Sequence, residues 1–210
     1  MEPTVTEPEE PERSSRTATS AAGGIRVSVE TAIPDPQIER FQLLYEDAFG
    51  PLRTRAIARQ VLHPGEFHQE MTDPRIQKHV ARAPDGEPIG LTTLTRHLDT
   101  VPWISPEYFA ARFPQHAERG AIYYAGFTLV APGARQGAAF HVMIESVVRI
   151  LAAERAAVGW DICSYNNSRF SFADALRTAI GERATVEIAV EDSQTYYAAR
   201  FIGDGADKGD

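Results

Sequence analysis

The sequence is poor in cysteine and lysine and has no long apolar run. Cys163 is the one cysteine among 210 residues, so no disulfide can form within the chain, which favours a reducing compartment. No apolar run approaches the roughly 20 residues that cross a bilayer, and the acidic first residues lack the layout of a signal peptide. We therefore expect a cytoplasmic protein without membrane segments.

The chain is acidic, and most of its excess charge lies near its two ends. The formal net charge is −8, of which residues 1–24 carry −3 and residues 203–210 carry −2. The remaining −3 leaves the body of the chain close to balance, with no basic face for nucleic acid or an anionic membrane. We predict that neither is a partner.

Length and composition indicate one folded domain with an unstructured segment at each end. Residues 1–24 are rich in Glu, Pro, Ser, Thr and Ala and cannot bury enough apolar surface to offset the entropy lost on ordering. We predict disordered tails over residues 1–24 and 203–210 and a single domain over residues 25–202.

Apolar periodicity and turn residues predict alternating strands and helices. Asp85-Gly86 has the composition of a hairpin turn, and the aromatic connection over residues 96–120 is expected to pack over a pocket. The predicted strands span residues 25–33, 77–95 (as a hairpin), 121–130, 158–165, 184–190 and 195–201. The predicted helices span residues 35–49, 54–62, 136–154 and 168–180, the second ending where His63-Pro64-Gly65 breaks it. This order places helices on a mixed sheet.

The turn after the strand at residues 121–130 has the composition of a phosphate-binding site. The first turn of a helix leaves backbone N–H groups unpaired and carries the positive end of the peptide dipole. Small residues would let an anion approach those groups: Gly133, Ala134, Gly137, Ala138 and Ala139. Arg135 is the only charged residue from Gly133 through Ile144. Taken alone, the segment fits an ordinary strand-to-helix turn equally well.

Three features in one order resemble the GCN5-related N-acetyltransferase superfamily. They are a hairpin ending in Ile89-Gly90, a strand ending in Val130 and Pro132, and the run from Arg135 to Ala139 that opens a helix. The resemblance covers roughly residues 25–201. It implies a single-domain α/β fold with a mixed, mostly antiparallel seven-stranded sheet flanked by helices. It also implies direct transfer of an acyl group, by default from acetyl-CoA, to an amine of a small molecule or peptide in a ternary complex without a metal.

The resemblance assigns the cofactor site residue by residue. Backbone amides of the turn and helix start would bind the CoA pyrophosphate at Arg135, Gln136, Gly137, Ala138 and Ala139. Backbone groups near Phe127, Leu129 and Val130 would hold the pantetheine and polarise the thioester carbonyl. Asn167 matches the first position of the family's N-x-x-A-x-x-x-Y pattern and joins this site.

The sequence departs from the family in its catalytic acid and base. Phe170 and Asp174 stand where the pattern has alanine and tyrosine, which leaves Tyr165, Tyr196 and Tyr197 as candidate proton donors to the thiolate, with Tyr165 and Tyr197 preferred. The strand before the turn has no glutamate. The base could therefore be water or one of four residues on other segments: Glu70, Glu107, His97 and His116.

Two alternatives stay open beside the N-acyltransferase. One is a catalytically degenerate module of the same fold that binds a ligand or partner, and the other is an N-acyl amino acid synthase-like enzyme that uses longer acyl donors. His63 and His68 have no ligand spacing typical of a metal site, so no metal is predicted. The acceptor and the oligomeric state, including a homodimer, stay open.

Overall fold

One sheet, whose strands lie side by side in chain order, runs through the domain. The computed structural model describes residues 16–18, 24–133, 136–169, 171–181 and 184–200. The strands are β1 (Arg16–Ala18), β2 (Arg26–Glu30), β3 (Ile76–Arg82), β4 (Pro88–Thr95), β5 (Ile122–Val130) and β6 (Ala157–Gly159). All neighbours pair in antiparallel fashion except β5 and β6, which are parallel.

Helices connect and cover these strands. They are α1 (Asp35–Phe49), α2 (Pro64–Thr72), α3 (Pro106–Arg112), α4 (Pro114–Glu118), α5 (Gln136–Ala153), α6 (Ser164–Asn167) and α7 (Phe172–Ile180). Short 3₁₀ turns occupy Gly50–Thr54 and Leu98–Thr100. Among the described residues, every helix is too short or too polar to cross a bilayer.

The helices form a layer on each face of the sheet. Successive residues of a strand point to opposite faces, so Val80 and Ala81 of β3 belong to different cores. Val80 packs with Phe41 of α1 and Phe67 of α2 on one face, and Ala81 packs with Met143 of α5 on the other. The α/β class with a mixed sheet flanked by helices is therefore confirmed.

The prediction of seven strands is wrong. Five strands, β2 to β6, form the sheet, and the three-residue β1 adds an edge to it. The predicted strands at residues 184–190 and 195–201 are not found, since residues 184–200 form neither helix nor strand and Phe201 lies outside the described residues. A strand needs a neighbour to pair with, and β6 is only three residues long and is soon followed by α6. It therefore gives residues 184–200 little strand to pair with.

The second helix begins later than its sequence indicated. Residues 54–62 hold only the end of a 3₁₀ turn, and α2 starts at Pro64, where the sequence predicted a break. Proline suits the first helical position because its missing N–H would be unpaired there. The carboxylate of Glu66 accepts the backbone N–H of His63 at 2.8 Å and caps the helix.

The predicted hairpin is confirmed as β3 and β4. The predicted strands at β2 and β5 and the predicted helices at α1 and α5 are also confirmed. Gly86 turns the hairpin with a φ of 90°, a conformation that favours glycine. Residues 16–18 fall within the predicted N-terminal tail and pair with β2 as β1. Disorder in the rest of the two predicted tails stays a prediction.

A buried histidine joins α5 to the sheet. His79 of β3 places Nδ1 2.9 Å from Oγ of Ser146, and its Nε2 has no hydrogen-bond partner among the described residues. Burial, together with the positive charge of Arg149, lowers the pKa of His79 to about 4. The folded protein therefore holds this histidine neutral.

Acidification should lower the free energy of unfolding of the native protein more than that of the variant His79→Gln. The unfolded chain protonates His79 near its ordinary pKa of 6.5, whereas the folded chain does so near 4. This stabilisation is complete above pH 6.5 and is lost as the pH falls through 4, a difference of about 3 kcal/mol. Urea unfolding from neutral pH to about pH 4 measures it, and the exposed-site control His97→Gln should follow the native curve. Equal pH dependence in native protein and His79→Gln would contradict the account.

Candidate active site

The two parallel strands separate soon after they meet. β5 pairs with β6 only at Ile122, Tyr123 and Tyr124, whose partners are Ala157, Val158 and Gly159. Beyond these pairs, no backbone hydrogen bond joins residues 125–130 to any described residue after Gly159. One edge of β5 therefore has no backbone partner over residues 125–130 among the described residues. We call the separation between this open edge and the segment that follows β6 the cleft.

An aromatic ring lies where the strands part. A Cβ placed on Gly159 would lie 2.5 Å from Cε1 of Phe109, so the ring of this α3 residue fills the space beside the glycine. Phe109 also meets Tyr124 edge-on, with ring centroids 6.2 Å apart. Phe109 of α3 therefore packs at the point where β5 and β6 separate.

A bulge distorts β5 on the cleft. Thr92 pairs with Thr128 and Leu94 pairs with Ala125, so two residues of β5, Gly126 and Phe127, oppose Thr93 alone. A Cβ on Gly126 would lie 2.3 Å from Oγ1 of Thr93 and 3.6 Å from Oε1 of Glu70. Glycine is required here because β4 and α2 approach the backbone so closely.

Glu70 of α2 lies against this bulge. Oγ1 of Thr93 donates a hydrogen bond to Oε1 of Glu70 at 3.0 Å. Burial raises the pKa of Glu70, while the Thr93 hydrogen bond and the charge of Lys78 act in the opposite direction. A carboxylate with a raised pKa is a better proton acceptor than an exposed one.

A second carboxylate, that of Asp161, binds two aromatic residues near this bulge. Tyr124 donates its hydroxyl proton to Oδ1 of Asp161 at 2.5 Å, and Nε1 of Trp103 donates to the same oxygen at 3.2 Å. Burial and the hydrogen bond to Asp161 raise the pKa of Tyr124. The phenol is therefore held protonated and oriented toward the carboxylate.

These groups face one cavity. It is lined by residues of α2, β4, β5 and the 96–120 connection: Glu70, Ile76, Thr93, Leu94, Thr95, Thr100, Val101, Trp103, Tyr124 and Gly126. The expectation that this connection packs over a pocket is confirmed. Among the described residues, no group of three or more His, Cys, Asp or Glu side chains is placed to hold a metal ion.

Comparisons with known proteins give a distant likeness. No family model and no curated protein matches the sequence. Similar solved structures include an aminoglycoside acetyltransferase from an uncultured soil metagenomic sample, in complexes with sisomicin and with trehalose. Both are 9% identical, with TM-scores of 0.45 and 0.46, and each match covers 84% of this chain and 97% of the other. At this level the likeness identifies neither family nor substrate.

The side chains of the three β5 residues predicted to bind the cofactor pack in the cores, and their backbone lies along the open edge of the strand. Phe127 packs among Tyr45, Phe49 and Phe67, with its ring centroid 5.0 Å from that of Tyr45. Leu129 is buried in the same core, and Val130 packs on the opposite face against the α5 layer. Any contact of these residues with a ligand would therefore be through their backbone.

The predicted phosphate turn is described only from Gln136 onward, because Ala134 and Arg135 lie outside the described residues. Gly137 is exposed, and a Cβ added to it would meet nothing within 4 Å. Ala138 and Ala139 pack toward the sheet, and the ring of Phe140 packs with α7 rather than over the helix start. The first turn of α5 is accessible through its backbone.

The remaining predicted residues lie apart from the cavity lining. Tyr165 and Asn167 are on α6, and Tyr197 is 91% exposed on residues 184–200. Their roles in catalysis and cofactor binding stay predictions. Of the four residues proposed as the base, Glu70 alone lines the cavity, whereas Glu107, His97 and His116 do not.

Sequence reasoning missed both the partner of Glu70 and the hydrogen-bonded group formed by Trp103, Tyr124 and Asp161. Thr93, Trp103, Tyr124 and Asp161 belong to four separate segments, and no local pattern brings them together. One signal was available, since a glycine such as Gly126 within an apolar strand often marks a bulge or a close backbone approach.

The variant Gly126→Ala should lose stability by about 1–3 kcal/mol, because its methyl group would displace Thr93 and disturb Glu70. Gly137→Ala is the matched control, with open space around the new methyl group, and should shift stability by no more than about 1 kcal/mol. Urea unfolding measures both, and adding Thr93→Ala to Gly126→Ala should recover part of the loss. Equal effects of the two glycine variants would contradict the bulge geometry.

Proposed function

We propose that the protein is an acyl-CoA-dependent N-acyltransferase, with acetyl as the default acyl group. The observation that carries this proposal is the open edge of β5 over residues 125–130, which runs from the buried Glu70 to the start of α5. Such an open edge offers backbone groups to an extended ligand, with the cavity at Glu70 at one end and the N-terminus of α5 at the other.

The backbone along this cleft fits the cosubstrate. An extended chain with amide groups can hydrogen-bond to an open strand edge as an added strand does, and the pantetheine arm has such amides. At the carboxyl end of β5, the N–H groups of Gly137, Ala138 and Ala139 in the first turn of α5 favour a phosphate. The thioester supplies an activated carbonyl carbon, and the bulge at Gly126 and Phe127 lies near the expected position of that carbon.

Glu70 is the proposed general base. The amine nitrogen of the acceptor attacks the thioester carbon, the C–S bond breaks, and the thiolate leaves. The proton lost by the amine goes to the carboxylate of Glu70, directly or through one water. The hydrogen bond from Thr93 to Oε1 fixes the orientation of this carboxylate and leaves Oε2 available.

The cavity favours an acceptor that is a cation in solution. Glu70 lines it, Asp161 adds a negative charge next to the lining residues Tyr124 and Trp103, and Trp103, which is 52% exposed, offers an aromatic ring to a cation. Lys78 is the nearby buried cation, but both Thr31 and Asp73 accept its ammonium protons through their backbone carbonyls. We therefore propose a small-molecule or peptide amine as acceptor.

Replacing Glu70 should slow acyl transfer strongly and leave cosubstrate binding intact. Wild type should bind acetyl-CoA in calorimetry and release free thiol with at least one member of a broad amine panel. Glu70→Gln should bind equally and release thiol about 10²–10⁴-fold more slowly, because the base is gone. Wild-type activity should also rise with pH as Glu70 ionises, and the variant should lose this rise.

Glu107→Gln is the matched control, since Glu107 is an exposed carboxylate outside the cavity, and it should match wild type. No acetyl-CoA binding by wild type at millimolar concentration would contradict the proposed function. Binding without thiol release on any amine would favour the degenerate binding module instead. A preference for long acyl donors would favour the N-acyl amino acid synthase-like enzyme.

A further inference from the structure

Two arginines from distant parts of the chain meet at one phenol oxygen. Nη1 of Arg55 donates to the hydroxyl oxygen of Tyr165 at 2.7 Å, and Nη1 of Arg169 donates to the same oxygen at 3.1 Å. Arg55 follows the 3₁₀ turn after α1, whereas Arg169 follows α6. Both arginines are exposed, and Tyr165 is half-buried against the core that contains Phe127 and Leu129.

Arg55 and Arg169 differ from nearby arginines in having no carboxylate partner among the described residues. Arg53 and Arg59, on either side of Arg55, each bind a glutamate through two hydrogen bonds. Neither Arg55 nor Arg169 has a carboxylate within ion-pair distance among the described residues. Both guanidinium groups also lie near the ring of Tyr165, with Cζ 5.0 Å and 5.4 Å from its centroid. The two like charges, with donor nitrogens about 6 Å apart at most, still repel each other, and an anion between them would offset this repulsion.

The hydroxyl of Tyr165 adds a third donor. Guanidinium groups can only donate, so the phenol oxygen accepts from both arginines, and its own proton has no acceptor among the described residues. The donors of two guanidinium groups and one O–H therefore lie close together around the phenol oxygen of Tyr165. Planar guanidinium groups match the oxygens of phosphate.

The cluster lies toward one end of the cleft. Val130 and Tyr165 are equally far along the chain from the last paired residues, Tyr124 and Gly159. Because β5 and β6 are parallel, both segments lead to the same edge of the sheet, where α5 begins after β5. Tyr165, on which both arginines converge, therefore lies on the segment that leads toward the phosphate-binding end of the proposed site.

We infer that Arg55, Tyr165 and Arg169 form an anion-binding site that takes a phosphate group of the acyl-CoA cosubstrate. The identity of this phosphate rests on the proposed function, whereas the anion site itself rests on the three side chains. It would supply charged side-chain donors, which the residues of the first turn of α5 from Gln136 to Ala139 do not have.

The test compares ligands that differ in phosphate content. Calorimetry measures CoA, dephospho-CoA and pantetheine on wild type and on Arg55→Gln, Arg169→Gln and the double variant. Each single variant should weaken CoA binding about tenfold or more, and none should change pantetheine binding. If the 3′-phosphate is bound, dephospho-CoA will bind wild type and variants equally; if the pyrophosphate is bound, it will lose affinity as CoA does.

Two controls separate this role from a structural one. Arg26→Gln removes an exposed arginine on β2 and should leave CoA affinity unchanged. Thermal unfolding with inorganic phosphate should show a phosphate-dependent rise in Tm in wild type that the double variant loses. If the arginines only tie the loop to α6, the variants will lower Tm without changing its dependence on phosphate, and the proposal is overturned.

The outcomes also distinguish this inference from the proposed function. CoA binding that is equal in wild type and the double variant would overturn the anion site and leave the acyltransferase proposal standing. Phosphate stabilisation that needs both arginines, in a protein that binds no CoA, would support an anion site, overturn its assignment to this cosubstrate and contradict the proposed function.

Discussion

The separation of β5 from β6 after Tyr124 and Gly159 is the constraint on which the candidate site depends. Two parallel strands that stayed paired would satisfy each other's backbone groups and leave no open edge. Here Phe109 occupies the space beside Gly159, and β5 bulges at Gly126 and Phe127. The interruption of the sheet therefore creates the cleft, and β4 pairs with the other edge of β5.

The bulge also connects the cleft to its chemistry. Because Gly126 has no side chain, Thr93 can lie close to the strand, and Thr93 in turn orients the carboxylate of Glu70. The free energy that buries this carboxylate comes from the surrounding core, in which Phe67 and Met71 of the same helix are almost fully buried. Stability elsewhere thus maintains a residue whose charged form is unfavourable where it lies.

Local sequence patterns were sufficient for elements that carry their own signals. The apolar alternation of β2, the proline and aromatic stripe of α1 and the Asp85-Gly86 turn each specify one element without reference to the rest. Residues 184–200 show the limit, because their alternation is typical of strands and yet no neighbour pairs with them. Glu70 was one of four possible bases until tertiary contacts placed it alone at the cavity, and the pairing of Tyr124 with Asp161 depends on packing between distant segments.

The central claim is that the open edge of β5 receives the cosubstrate as an added strand would. Residue-resolved hydrogen exchange by NMR, with and without acetyl-CoA, tests this directly. The account predicts that backbone amides within residues 125–130 that face the cleft exchange quickly in the free protein and become protected when acetyl-CoA is added. Binding of acetyl-CoA with unchanged exchange across these residues would contradict it.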